Sequence, residues 1–295
     1  MKIFRLLSLL LVVLLASCLN KKKSADTGIP GNESRYVVLA YVTSWGVSTP
    51  ETSCLTHINY AFGHVADDNK GIRIDNEHRL QMIVGLKKEK PSLKVLLSVG
   101  GWGSSRFSEM AANDSTRTAF AADCRRVIDK FGLDGIDIDW EYPGSGTAGI
   151  SFSSADKENF TLLMRDVRQA VGKDKLLTIA TAATGRYYDF RAIEPYVDYV
   201  NIMAYDMEEA PFHHAALHCS DMTEEWSCEK AVAGHIAGGF PVQRLVLGFL
   251  SMGMEPTRRL SLWIIAISYL STVCIVAGIV WHKFLIWLIP KEQSS

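Results

Sequence analysis

Short apolar, β-branched runs alternate along this chain with stretches of helical periodicity. Seven runs predict strands, at residues 36–42, 57–62, 94–99, 135–140, 176–182, 199–204 and 244–249. Three segments predict helices, at residues 78–90, 115–131 and 154–171, with Pro91 and Gly132 ending the first two. Strands that alternate with helices indicate parallel α/β construction. Six or seven strand–helix units are more than a small doubly wound sheet contains, so the predicted fold is a (β/α)8 TIM barrel.

The predicted barrel lacks its eighth strand. The strand pattern ends at Gly248 and Phe249, after which the sequence changes character and runs into an apolar tail. A barrel without its last strand leaves an open edge and an exposed core face, which favours aggregation. We therefore expect an incomplete barrel over residues 35–249, followed by a divergent tail at 250–295.

The tail contains a segment long enough to cross a membrane. Residues 260–281 carry no charge, and a helix of that length spans the hydrocarbon core of a bilayer. Because this apolar helix lacks an amphipathic face, a transmembrane helix is favoured over a buried core helix. Arginines at 258 and 259 precede it and lysines at 283 and 291 follow it, so charge leaves its orientation undecided.

The first 34 residues predict export rather than a folded domain. Lys2 and Arg5 precede an apolar run at 6–15, and residues 15–18, Leu-Ala-Ser-Cys, resemble a bacterial lipoprotein cleavage box. This predicts a signal peptide at 1–17, lipid attachment at Cys18 and a flexible tether at 18–34. An ordinary secretory signal cut nearby is the alternative. We expect a membrane-anchored protein of the bacterial cell envelope.

The net charge limits which partners are expected, whereas the cysteine content does not decide the disulfide pairing. The net charge of −1 gives no reason to expect a nucleic acid or another polyanion as partner. Seven tryptophans could serve a sugar site or an ordinary core. An exported protein is free to form disulfides, and Cys219 and Cys228, which close a short loop, are the favoured pair. All four of the cysteines outside the lipid site and the tail could equally be free.

Three carboxylates lie two residues apart near the middle of the chain, at Asp137, Asp139 and Glu141. Two residues is the period of a β-strand, so the three side chains share one face. Burying like charges together is costly, and crowding pushes their pKa values apart, which lets a neutral acid lie beside an ionised neighbour. The alternative is a half-exposed strand with an acidic solvent face. Asp134 has the opposite parity, which predicts a structural residue outside the site.

The same segment carries a family resemblance. Residues 134–143, Asp-Gly-Ile-Asp-Ile-Asp-Trp-Glu-Tyr-Pro, resemble the Asp-x-x-Asp-x-Asp-x-Glu signature of the family 18 glycoside hydrolases, the chitinases and their relatives. Four further segments extend the resemblance: 41–45 (Tyr-Val-Thr-Ser-Trp), 59–62 (Asn-Tyr-Ala-Phe), 98–102 (Ser-Val-Gly-Gly-Trp) and 201–206 (Asn-Ile-Met-Ala-Tyr-Asp). The paired glycines at 100 and 101 predict a close approach of backbone to the acidic strand.

The resemblance implies a role for each matching residue. Glu141 would be the general acid and base, Asp139 would hold the substrate's acetamido N–H, and Asp137 would share a proton with Asp139. Tyr205 would hydrogen-bond the acetamido carbonyl. The remaining residues implied to bind substrate are Tyr41, Trp45, Phe62, Gly101, Trp102, Met203 and Asp206.

A metal site is the competing interpretation of His213, His214 and His218, since imidazole is a common zinc ligand. The segment that begins at His213 resembles a loop that does not bind metal in the family, and no spacing typical of a metalloenzyme appears. We expect neither a metal nor a cofactor.

The resemblance implies a hydrolase that cleaves β-1,4-linked N-acetylglucosamine polymers such as chitin. A non-catalytic carbohydrate-binding protein and an inactive truncated product are the alternatives. The chain has Leu-Ser-Met-Gly at 250–253 where the family continues with Pro-Phe-Tyr-Gly, and an eighth-strand tryptophan has no counterpart. Trp263, Trp281 and Trp287 lie in the apolar tail and do not match that residue.

Overall fold

The computed structural model describes residues 36–208, 213–221, 223, 225–251 and 263–268. The predicted signal peptide, the tether, Cys18 and most of the apolar tail lie outside these residues. The strands are β1 (Val38–Thr43), β2 (His57–Val65), β3 (Ile72–Ile74), β4 (Lys94–Gly100), β5 (Gly135–Asp139), β6 (Leu176–Ala182), β7 (Tyr199–Met203), β8 (Leu245–Ser251) and β9 (Trp263–Ser268). The helices are α1 (Glu77–Gly85), α2 (Phe107–Ala112), α3 (Asp114–Phe131), α4 (Asp156–Val171), α5 (Phe190–Ile193) and α6 (Cys228–Ala237).

Seven parallel strands form a curled sheet in the order β1-β2-β4-β5-β6-β7-β8. All seven predicted strands and the three predicted helices are present. The first helix ends at Gly85, earlier than predicted, and continues as a short 3-10 turn at Leu86–Lys88. The parallel α/β architecture predicted from the alternating pattern is confirmed, as a TIM-like barrel with seven parallel strands.

The position of the missing eighth strand is occupied by β9. This strand pairs antiparallel with β8 on one side and with β1 on the other, where Ile264 lies opposite Tyr41. The two edges that we expected to remain open are therefore joined. The prediction of a helix over 260–281 is wrong for 263–268, because two unpaired strand edges offer these apolar residues hydrogen bonds that a helix would leave unmade.

No helix within the described residues is both long and apolar enough to cross a bilayer.

The acidic strand β5 separates two environments. Trp140 and the two isoleucines of the motif pack outward into the main core, where the indole of Trp140 stacks on Phe107 with ring centroids 5.4 Å apart. Asp137 and Asp139 belong to the opposite face of the strand, which the curled sheet turns inward. Alternation along one strand therefore places the carboxylates inside the barrel and anchors them through an apolar outer face.

Asp134 fastens the entrance of β5 to its neighbours. Its Oδ2 accepts hydrogen bonds from Lys87 Nζ at 2.7 Å and from the backbone N–H of Val95 at 2.9 Å. The residue thus joins three elements at the end of the strand away from the acidic trio, as its parity predicts.

The described cysteines are free thiols. Cys124 and Cys228 are buried, whereas Cys54 and Cys219 are exposed. The Cys219 thiol donates to Ser227 Oγ at 3.4 Å instead of bonding to Cys228. The favoured disulfide is therefore not formed, and the alternative of free thiols describes this structure.

Candidate active site

The three carboxylates of the motif are buried in a graded way. Asp137 lies within β5 and is fully buried, Asp139 ends the strand and is 4% exposed, and Glu141 lies two residues further on and is 8% exposed. They therefore lead from the inside of the barrel to the C-terminal edge of its parallel strands. TIM-barrel enzymes carry their active sites at that edge.

Asp137 is held by four hydrogen-bond donors. Its Oδ2 accepts from Tyr41 Oη at 2.9 Å and Ser98 Oγ at 2.8 Å, and its Oδ1 accepts from Thr178 Oγ1 at 2.5 Å and Asn201 Nδ2 at 3.1 Å. Burial nevertheless raises the pKa of Asp137, although these donors favour the charged form. Because each oxygen has two partners on neighbouring strands, this carboxyl is held firmly in place.

Asp139 is in the opposite situation. Its Oδ1 is buried and has no hydrogen-bond partner among the residues that the structure describes. Burial, followed by the charges of Glu141 and Asp137, raises the pKa of Asp139 well above its usual range. A neutral carboxyl with an unused oxygen is costly to bury, so it marks a place where a ligand could supply the missing hydrogen bond.

Glu141 titrates near neutrality. Burial raises its pKa to about 7, the hydroxyl of Tyr142 opposes the shift, and the charge of Asp206 adds to it. A general acid works best when its pKa is close to the working pH, because it must be protonated yet able to release its proton. The Glu141 carboxyl has the acidity that such a role demands.

This electrostatic arrangement predicts the effect of Asp206→Asn. Removing the negative charge lowers the pKa of Glu141, so this carboxyl should lose its proton at lower pH. Because the Asp206 side chain is 73% exposed, we expect an interaction of about 0.2–1 kcal/mol, or roughly a 1.4- to 5-fold change in the acid dissociation constant of Glu141. The Glu141 carboxyl would be titrated by ¹³C NMR across pH 5–9 in low and high salt. A titration midpoint that stays in place at low salt would contradict this electrostatic effect.

A hollow opens beside Asp139. It is small, with about 10 Å³ of space for the centre of a water-sized molecule, which is room for about one water. The residues that line it are Tyr41, Asp139, Ala180, Asn201, Ile202, Met203, Tyr205 and Gly248. The structure thus brings together an acid, two tyrosines and an amide from three strands and one loop.

Two glycines let the backbone close in on β5. Gly100 and Gly101 have φ angles of +132° and +93°. A Cβ at Gly100 would lie 2.0 Å from the carbonyl oxygen of Asp139, and one at Gly101 would lie 2.8 Å from the ring of Phe62. The predicted close approach to the acidic strand is confirmed, and Gly101 also donates its N–H to the Asp139 carbonyl at 2.9 Å.

The other residues that the sequence assigned to substrate binding lie further out. Trp45 and Trp102 are each 63% exposed, and Phe62 covers Gly101. Asp206 stands at the rim, 3.6 Å from the His214 imidazole, and is not among the lining residues. Only Tyr41 and Met203 of that set line the hollow itself.

Sequence reasoning missed the residues that hold Asp137. Ser98 of β4 and Thr178 of β6 lie directly opposite Asp137 in the parallel register. Both are polar residues at inward positions of otherwise apolar strands. That polarity was a usable signal, but the register that brings the two hydroxyls to one carboxyl emerges only when the sheet is assembled.

The histidines after β7 make separate polar contacts. His218 Nδ1 lies 2.9 Å from Glu229 Oε2, and His214 faces Asp206. Within the described part of the chain, no group of three or more His, Cys, Asp or Glu side chains is arranged to hold a metal ion.

The chain belongs to the glycosyl hydrolases family 18. The model of that family matches residues 37–258, which confirms the resemblance of the acidic motif and reaches beyond the expected boundary at 249. The chain is 30% identical to Chitinase A1 of Niallia circulans over 84% of its own length and 46% of that protein. It is 35% identical to Probable chitinase 2 of Drosophila melanogaster, over 67% and 45% of the two chains. The chain spans about half the length of these curated relatives.

Solved structures agree with this assignment. The chitinase domain of the spore coat protein CotE from Clostridium difficile superposes with a TM-score of 0.71 at 33% identity, over 77% of this chain and 68% of that one. A family 18 N-acetylglucosaminidase from Paenibacillus barengoltzii gives a TM-score of 0.67 at 34% identity, over 77% and 74% of the two chains. The fold and the family are thus supported by independent comparisons.

Proposed function

We propose that this protein cleaves β-1,4-linked N-acetylglucosamine polymers, chitin or chito-oligosaccharides, with retention of configuration. The observation that carries the proposal is a buried Glu141 carboxyl, of pKa about 7, placed beside a buried Asp139 with an unused oxygen. Binding a sugar does not require an acid tuned to neutrality, whereas breaking a glycosidic bond does. The names of the relatives, which are chitinases and an N-acetylglucosaminidase, support this substrate class.

The chemistry uses one protein carboxyl twice. Glu141 gives its proton to the glycosidic oxygen while the substrate's own acetamido oxygen bonds to the anomeric carbon, and the bond to the leaving sugar breaks. The product of this step is an oxazolinium ion and a Glu141 carboxylate. That carboxylate then takes a proton from a water molecule that attacks the anomeric carbon. This attack opens the oxazolinium ring and leaves Glu141 protonated again.

Asp139 and Tyr205 would hold the acetamido group in place. The unpartnered Oδ1 of Asp139 can accept the acetamido N–H. When the proton that Asp139 holds in the free protein passes to Asp137, the Asp139 carboxylate can stabilise the cation as it forms. Burial and the nearby acids raise the pKa of Tyr205 well above its usual range, so its phenol stays a donor for the acetamido carbonyl. Asp137, fixed by four donors, keeps the acidic strand in register beneath them.

Asp139→Asn tests this assignment. The amide keeps the shape of the side chain but cannot carry the negative charge that meets the developing cation, so kcat should fall about 10²- to 10³-fold with KM little changed. Release of a chromophore from a chitobiose glycoside measures both constants. The matched control is Asp129→Asn, an exposed aspartate that pairs with Arg125 on α3. A rise in KM at constant kcat would show that Asp139 only binds the substrate.

The wild-type chain in the same assay separates the candidate functions. Turnover supports the hydrolase, and binding of chito-oligosaccharide without turnover indicates a carbohydrate-binding protein. A melt without a cooperative transition indicates a truncated product that does not fold.

We also propose that the protein is exported and anchored by lipid at Cys18. The proposal is supported by the basic residues Lys2 and Arg5, the apolar run at 6–15 and the Leu-Ala-Ser-Cys sequence that follows. Cells that express the chain would be fed radiolabelled palmitate. Label should enter the wild-type protein and be lost in Cys18→Ala, and equal labelling of both proteins would contradict the assignment.

A further inference from the structure

A stack of aromatic rings borders the proposed acid. The ring of Tyr187, in the loop after β6, lies parallel to that of Tyr142, with centroids 4.7 Å apart and planes inclined by 6°. The Tyr142 ring also packs against Trp102, with centroids 6.4 Å apart and planes inclined by 71°. Tyr142 directly follows Glu141 in the chain, so this stack is built onto the residue next to the acid.

Tyr187 is itself clamped. The Arg186 guanidinium lies over its ring, 4.8 Å from the centroid, and donates a hydrogen bond to its hydroxyl at 2.6 Å. Lys157 Nζ, at the start of α4, donates to the Arg186 carbonyl at 3.2 Å and ties the loop down. The Tyr187 ring therefore packs against both Tyr142 and the Arg186 guanidinium, which restricts its motion.

We propose that Tyr187 is a positioning residue for catalysis, which holds Tyr142 so that the Tyr142 hydroxyl stays directed at the Glu141 carboxyl. This inference rests on the proposed role of Glu141 as the acid. A tyrosine has two rotatable side-chain bonds, and stacking on a clamped neighbour removes much of that freedom at little further cost. The function of the Arg186–Tyr187 pair is thus to keep a donor in place beside the reacting proton.

The Tyr142 hydroxyl shifts the pKa of Glu141 in a defined direction. The Tyr142 hydroxyl lowers the pKa of Glu141, since a donor stabilises the charged form, and it thereby opposes burial. Burial raises the pKa of Tyr142 itself, so the hydroxyl keeps its proton. Five ionisable groups act on Glu141 or respond to it. They are Asp139 at the end of β5, Asp206 and Tyr205 after β7, Tyr188 after β6, and Tyr142.

Loss of the stack between Tyr187 and Tyr142 should therefore change the pKa of Glu141 as well as the rate of catalysis. In Tyr187→Leu the Tyr142 ring can swing away, so the pKa of Glu141 rises and the alkaline limb of kcat/KM moves to higher pH. We expect kcat/KM at pH 6 to fall about three- to tenfold, well below the roughly 10²- to 10⁴-fold attributed to the general acid itself, because the acid remains in place. Tyr142→Phe, which deletes the donor, should move the limb in the same direction.

The test follows the Glu141 carboxyl by ¹³C NMR, assigned by loss of its signal in Glu141→Gln, alongside pH–rate profiles. Tyr187→Leu and Arg186→Gln should both raise the titration midpoint, and Tyr187→Leu added to Tyr142→Phe should raise it no further than Tyr142→Phe alone. Tyr187→Phe, which keeps the stack, should restore most of the wild-type behaviour. Phe152→Leu, a 60% exposed aromatic in the loop after β5, is the matched control and should change neither readout.

The outcome that overturns the proposal is a folded Tyr187→Leu that loses activity while Glu141 titrates as in the wild type. Additive shifts in the double variant would also overturn it, because they would show that the two tyrosines act independently. The NMR titration needs no turnover. A folded wild-type chain that does not hydrolyse chitobiosides would refute the proposed function while leaving this measurement able to decide the role of Tyr187.

Discussion

Glu141→Gln is expected to reduce chromophore release from a chitobiose glycoside by about 10²- to 10⁴-fold, the range attributed to a positioned general acid. Glutamine has nearly the same shape but no proton to give to the glycosidic oxygen and no charge with which to activate water. Chito-oligosaccharide affinity, measured by calorimetry, should stay within a few-fold of the wild type. A variant with near-normal kcat would remove Glu141 from the mechanism.

The same substitution should stabilise the fold at alkaline pH. The Glu141 pKa of about 7 exceeds its ordinary value of 4.5, so the folded state holds a proton that the unfolded state has lost. Ionising this carboxyl above pH 7 costs the folded state up to about 3 kcal/mol, which glutamine does not incur. The melting temperature of Glu141→Gln should therefore exceed that of the wild type at pH 8, and the difference should vanish below about pH 4.5. Equal melting temperatures at pH 8 would show that Glu141 titrates normally.

A chain that ends at residue 258 is expected to lose its cooperative unfolding transition. Deleting β9 leaves β1 and β8 with unpaired edges, and Leu39, Tyr41 and Val246 of one buried apolar cluster lie on those two strands. Unmade hydrogen bonds and exposed apolar surface along two strands cost several kcal/mol, comparable with the total stability of a domain. Near-UV circular dichroism during a thermal melt measures the transition.

The control is a chain that ends at residue 270, which keeps β9 and removes the rest of the tail. It should melt cooperatively, near the temperature of the full chain. If the chain that ends at 258 melted at the same temperature as this control, β9 would contribute nothing to closing the barrel.

Much of this fold follows from local pattern. The strands were predictable because each is a short apolar run bounded by a helix or a turn, and strand β6 was predicted with its observed ends. The shared face of Asp137 and Asp139 followed from the two-residue period alone. The apolar residues that alternate with these acids pack into the core outside the barrel, as the stacking of Trp140 on Phe107 shows. This packing fixes which face of the strand the acids occupy.

The closing strand could not be predicted from the sequence. Residues 263–268, Trp-Ile-Ile-Ala-Ile-Ser, are apolar throughout, and periodicity cannot separate a buried strand from a helix in so short a run. Their conformation is decided by β1 and β8, which are remote in sequence and supply both lines of hydrogen bonds. The short helices α2, α5 and α6 were missed for a related reason, because packing and not local periodicity fixes segments of four to ten residues.

The candidate active site, like the fold, was predictable only in part. The motif predicted which acids matter, but the partners of Asp137 depend on registers between strands about 40 residues apart. Tyr41 and Met203 line the hollow because they point inward from strands, whereas Trp45 and Asp206 lie on loops whose paths the sequence does not determine. The two predicted substrate-binding residues that line the hollow thus both lie on strands.

The pH dependence of chromophore release by the wild-type chain decides whether Glu141 acts as the acid. We expect turnover of a chitobiose glycoside with a kcat/KM that falls as pH rises through about 7, as Glu141 loses its proton. A cooperatively folded protein that binds chito-oligosaccharide without turnover, or turnover that is constant from pH 5 to 9, would contradict it.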